Sequence, residues 1–106
     1  MGVELSVLHI AVFRWNEGVT EQQVESFTDA LIALRAQMPM LLSFRFGPDL
    51  GLREGNFAYG VVAELEAPEL VSVYLDHPLH QVFVKDYVMG MVAERRAVQV
   101  NNVAGR

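Results

Sequence analysis

Val3-Glu4-Leu5-Ser6-Val7-Leu8-His9-Ile10-Ala11-Val12-Phe13-Arg14-Trp15 is rich in β-branched and aromatic residues and reads as a strand. Side chains alternate across a sheet, so Val3, Leu5, Val7, His9, Ala11, Phe13 and Trp15 share one face, and Leu8, Ile10 and Val12 lie on the other. Both faces are apolar in the middle, and each therefore needs a cover.

Outward from this strand, Asn16-Glu17-Gly18 makes a turn, and Thr20 with Gln23 three residues on forms a capping box reinforced by a Val19/Val24 staple. The helix that follows places Val24, Phe27, Leu31, Leu34 and Met38 on one stripe and ends before Pro39. Strands are expected at Leu41–Gly47 and Phe57–Leu65, separated by a charged loop with one proline and two glycines. Pro68 opens a second helix, which runs to about Leu75, breaks at His77-Pro78, resumes at Leu79 and ends near Val92. A short last strand is expected at Ala97–Val103. The order strand, helix, strand, strand, helix, strand gives an α+β class: a ferredoxin-like βαββαβ domain over residues 1–106, an antiparallel four-stranded sheet with its helices on one face.

Helices on one face leave the second apolar face of the first strand bare. A second copy packed through Leu8, Ile10 and Val12 covers it, two sheets then enclosing a dimeric α/β barrel; the alternative is a monomer whose apolar patch awaits another protein. Composition agrees, since 52% of the residues are apolar and 20% charged, more apolar surface than one small domain hides with ease. A net charge of −5 without a basic run argues against nucleic acid. The absence of cysteine removes disulfides, thiolate nucleophiles and sulfur-held metal together. No apolar run reaches membrane-spanning length and Met1–Ser6 lacks the basic-then-apolar order of a leader, so the expectation is a cytoplasmic protein not associated with a membrane.

Chemistry is expected in Tyr74-Leu75-Asp76-His77-Pro78-Leu79-His80-Gln81-Val82-Phe83-Val84-Lys85, which holds two of the three histidines, a tyrosine and a proline break. His80 enters a helix in its first turn, where the dipole opposes an imidazolium. His77, extended before proline, is expected to cap the preceding helix or face solvent. A pocket between sheet and helices, walled by Phe13, Phe27, Leu31, Val61, Phe83 and Met91 with His9, Tyr74 and His80 as its polar points, suits a small, oxygenated, mostly hydrophobic molecule. His80 would then remove a proton beside a carbonyl while Tyr74 hydrogen-bonds the developing oxygen, with no cofactor and no metal. The plainer alternative makes His9 a neutral core histidine and ties the Tyr74 hydroxyl to His80 within a filled interior.

Leu8-His9-Ile10-Ala11-Val12-Phe13-Arg14-Trp15, the Thr20-capped helix ending in Met38-Pro39, Ser43-Phe44-Arg45-Phe46-Gly47 and above all Tyr74-x-x-His77-Pro78-x-His80 resemble the stress-responsive A/B barrel (Dabb) domain over about Leu5 to Val103. The resemblance implies a dimeric α/β barrel. It also implies activities ranging from stress-associated proteins of unassigned function to plant polyketide cyclases, in a wider superfamily that includes cofactor-free monooxygenases and haem enzymes. The catalytic tyrosine and histidine of the cyclases fall on Tyr74 and His80, and a first-strand histidine on His9. Tyr59 replaces a polar histidine of the cyclases and Leu31 a pocket tyrosine, which changes what the cavity would recognise. Two functions are therefore expected: a homodimeric module binding a small hydrophobic molecule, or a cofactor-independent cyclase or lyase working through Tyr74 and His80.

Overall fold

A computed structural model describes residues 5–105. The expected strand residues Val3 and Glu4 lie outside the described residues. Strand β1 (Val7–Trp15) leads through the turn at Gly18, whose φ of 88° suits a residue without Cβ, into helix α1 (Glu21–Ala36). Strands β2 (Leu41–Pro48) and β3 (Tyr59–Leu65) follow, then helices α2 (Glu69–Leu75) and α3 (Pro78–Phe83). A π-helical turn (Val84–Val88) and one helical turn (Met89–Met91) lead into β4 (Val92–Asn101).

The sheet order is β2-β3-β1-β4, every neighbouring pair antiparallel, as the ferredoxin-like reading requires. The capping box forms as read: the Gln23 amide N–H donates to Thr20 Oγ1 at 3.2 Å and the Thr20 N–H to Gln23 Oε1 at 2.8 Å. On the α1 stripe Phe27, Leu31, Leu34 and Met38 are buried, and Val24 is half-buried. Alternation places the β1 residues His9, Ala11 and Phe13 under the helices, beside Tyr59, Val61 and Ala63 of β3. Phe27 is the hub of this layer, its ring 5.1 Å from Trp15, 4.9 Å from Tyr59 and 5.0 Å from Phe83. The Tyr59 hydroxyl, carried into the core by that packing, shares a 2.7 Å hydrogen bond with Thr28 of α1.

Among the described residues, no helix covers the other face of the sheet. Leu8, Ile10 and Val12 are half-buried there, next to Val62 of β3 and to Val98 and Val100 of β4. At one end of this face Glu64 accepts from Ser6 Oγ at 2.6 Å, Ser43 Oγ at 2.9 Å and Asn102 Nδ2 at 3.3 Å. At the other end Arg14 and Arg96 flank Glu94.

Several boundaries differ from expectation: β1 starts at Val7, with Leu5 and Ser6 outside the strand, and β3 starts at Tyr59 rather than Phe57. β4 starts at Val92 rather than Ala97 and ends at Asn101 rather than Val103, because Val92–Arg96 pairs with β1 through Trp15–Val92 and Arg14–Glu94 across a bulge. The charges that obscure this strand are tolerated on a sheet edge. Helix α3 starts at Pro78, one residue early, and His77 caps α3 rather than the helix before it: its Nδ1 accepts the Leu79 N–H at 3.1 Å. Pro68 is the N-cap of α2 rather than its first helical residue.

Removing the hub should be costly. Phe27→Ala is expected to lower unfolding free energy by about 3–5 kcal/mol, whereas Ile32→Ala, on the outer side of the same helix at 56% exposure, should change it by no more than about 0.5 kcal/mol. Urea titrations of the two variants decide this, and equal losses would contradict the packing described.

Candidate functional site

α2 cannot run straight into α3, because Pro78 holds His77 extended (φ −60°, ψ 137°) and turns the chain. The corner is fastened by the Gln81 side chain donating to the Leu75 carbonyl at 2.9 Å and by the Gln81 N–H donating to that of His77 at 3.0 Å. It brings Tyr74, at the end of α2, against His80 in the first turn of α3, ring to ring at 4.7 Å and edge-on. His9, below them on β1, lies 6.1 Å from the Tyr74 ring.

The helix layer ends short of β4 and leaves a cavity of about 340 Å³ between the corner and the sheet. Tyr74, His80, His9, Phe13, Leu31, Val61 and Phe83 all line it, as the sequence suggested. Phe27 and Met91 do not: both are buried, Phe27 among the aromatic rings around it. His77 takes no part in the wall, and among the described residues no group of three or more His, Asp or Glu could hold a metal ion. The π turn contributes Val84 and Val88 to the lining.

β4 contributes two polar residues not anticipated. Arg95 lines the cavity, and Gln99 donates its amide N–H to His9 Nδ1 at 2.7 Å. Alternation along β4 would have shown both on the cavity side of the sheet; starting the strand at Ala97 hid the first and left the second without a partner.

Burial holds the two histidines and the tyrosine of the wall in their neutral forms. Burial, then the charges of His9 and Arg95, push the His80 imidazole down to about 4 from 6.5, against smaller opposing pulls from the Leu75 carbonyl and Asp76. Burial, then Arg95, lowers His9. Burial raises the Tyr74 hydroxyl, Arg95 opposing. Desolvation therefore outweighs the helix terminus invoked for His80. The His80 Nδ1 is buried without any hydrogen-bond partner, so the Tyr74 hydroxyl does not tie it off.

Residues 7–102 match the family described as the Stress responsive A/B Barrel Domain. Among solved structures, a dimeric ferredoxin-like protein of unknown function from Thermobifida fusca YX is 42% identical, with 92% of this chain and 91% of that one covered at a TM-score of 0.84. A dimeric ferredoxin-like protein of unknown function from Bacteroides fragilis NCTC 9343 is 22% identical over 91% of this chain and 95% of its own, at a TM-score of 0.77. The hydroxynitrile lyase of Passiflora edulis is 16% identical over 97% of this chain and 100% of its own, at 0.80, a likeness of fold alone. Comparison with curated proteins finds no match. No described helix is long and apolar enough to cross a membrane.

The depressed His80 fixes the sign of a pH dependence. Between about 4 and 6.5 the unfolded chain binds this proton and the folded chain does not, so stability is complete above about pH 6.5 and falls as the pH drops toward 4. His9, lowered in the same way, adds to the loss. Unfolding free energies at pH 7 and pH 4.5 should differ more in the wild type than in His80→Asn, by on the order of 1–2 kcal/mol once partial exposure is allowed for. Identical pH profiles would mean that His80 titrates as it does in water.

Proposed function

The chain belongs to the stress-responsive A/B barrel domain family, and on that premise we propose that its cavity binds a small, largely apolar molecule carrying a hydroxyl or carbonyl group. His80 carries the reading, as an imidazole on the wall of a mostly apolar cavity, edge-on to Tyr74 and tied to no side chain by a hydrogen bond at its buried Nδ1. A ligand hydroxyl or carbonyl in this cavity would meet the imidazole ring and the Tyr74 hydroxyl as its polar partners. The apolar wall supplies the remaining affinity through burial of the ligand's hydrocarbon.

A second reading, proton transfer, is favoured by the 4.7 Å approach of Tyr74 to His80. His80 is neutral at neutral pH, as a general base must be, and Tyr74 keeps its proton. In a cyclase- or lyase-type step His80 would take the proton from a carbon beside a carbonyl, the C–H electron pair moving into the enolate, while the Tyr74 hydroxyl donates to the enolate oxygen. No cofactor takes part in that step.

The active assembly on this proposal is a homodimer joined through the open sheet face, with Leu8, Ile10 and Val12 at its centre. The uncovered apolar row supports this, as do the similar proteins described as dimeric. It would be held mainly by apolar burial, with Glu64 and the Arg14–Glu94–Arg96 group toward its ends.

A thermal-shift screen of small hydroxylated and carbonyl compounds should yield ligands that stabilise the wild type, by about 2.7 kcal/mol at a hundred times Kd, and that act weakly or not at all on His80→Ala. A ligand whose shift is unchanged in that variant removes His80 from the site. Sedimentation velocity should find a dimer for the wild type and a monomer for Ile10→Arg; a monomeric wild type would refute the assembly.

A further inference from the structure

We propose that the ligand of this cavity is a carboxylic acid in its ionised form, its carboxylate held by the Arg95 guanidinium and its apolar body lodged against Phe13, Leu31, Val61 and Phe83. The inference rests on the cavity being a binding site and narrows the class of molecule it takes.

Arg95 stands opposite Phe13 in the β1–β4 register, and its side chain lines the cavity. Its neighbours in sequence point the other way and are already matched: Arg14 Nε meets Glu94 at 3.2 Å and Arg96 meets the same carboxylate at 2.7 Å, all on the open face. Among the described residues no carboxylate lies within ion-pair distance of Arg95. Arg95 is itself exposed to solvent, and its guanidinium beside a mostly apolar wall is a fork of N–H donors suited to a carboxylate's two oxygens.

Asp76 also lines the cavity and has to be weighed. Like Arg95 it is exposed, at the C-cap of α2, but among the shifted groups of the wall its charge acts on His80 alone, as the weakest of the influences there. The charge of Arg95 reaches His9, Tyr74 and His80 together. The cation therefore dominates the polar end of the cavity, and since both histidines there are neutral, it is the only formal positive charge on the described wall. At about 340 Å³ the space is near the lower limit of ligand cavities, which fits an aromatic or medium-chain acid and not a larger amphiphile.

Matched probes test this without knowledge of the natural ligand: octanoate and 2-naphthoate against octanamide and 2-naphthamide, titrated calorimetrically at neutral pH. The acids should bind at least about tenfold more tightly than their amides, which corresponds to about 1.4 kcal/mol. Arg95→Gln should abolish the preference, Arg95→Lys should keep part of it, and Arg96→Gln, altered on the opposite face, should leave it intact. Acids and amides binding alike, or a preference that survives Arg95→Gln in a variant with wild-type circular dichroism, overturns the carboxylate while leaving the cavity as a binding site. Failure of all four probes to bind at millimolar concentration removes both.

Discussion

Everything in this molecule answers to the double-sided apolarity of β1. Its odd positions are roofed by α1, α2 and α3, and no described helix roofs its even positions. Apolar surface left in water costs roughly 25 cal/mol for each Å² that could have been buried, so the row Leu8, Ile10 and Val12, extended by Val62 and Val98, is a standing drive toward association. A fold of four strands and a single layer of helices meets that drive most economically with a copy of itself, since a sheet is already complementary in shape to a sheet.

The cavity follows from how the roof is made. Phe27 fills one end of the sheet-to-helix space with rings packed edge to face, and that end is solid. At the other end the roof is two short helices meeting at a proline corner, and they stop before β4. Polar side chains collect at that gap because the helices bring them from above, Tyr74 and His80, while the sheet brings them from below, His9, Arg95 and Gln99. Burial then sets their protonation: both imidazoles lose their charge and the phenol keeps its proton. The gap in the roof and the neutral state of Tyr74, His80 and His9 are two results of one arrangement.

Much of this was legible in residue order. The capping box at Thr20, the α1 stripe and the alternation in β1 are local patterns with one dominant period each, and they sufficed for the topology, the helix-covered face and seven of the cavity's lining residues. β4 was misplaced because its first five residues carry three charges, and a charged run resembles a strand only when its partner across the sheet is known. That error concealed Arg95. Phe27 and Met91 were assigned to the cavity wall because periodicity tells which face a side chain occupies and not how far along the core it sits; the distances among rings settle that. For His77 the sequence offers a cap on the preceding helix or a place in solvent, because a pre-proline residue can close one helix or open the next, and only the Leu79 N–H shows that it opens α3.

The Met89 N–H reaches back to the Val84 carbonyl, five residues rather than four. Such a turn holds one more residue than an ordinary helical turn, and each residue of helix rotates the chain by about 100°. Wound as a plain α-helix, these five residues would present a different set of side chains to the chamber from the Val84 and Val88 that line it.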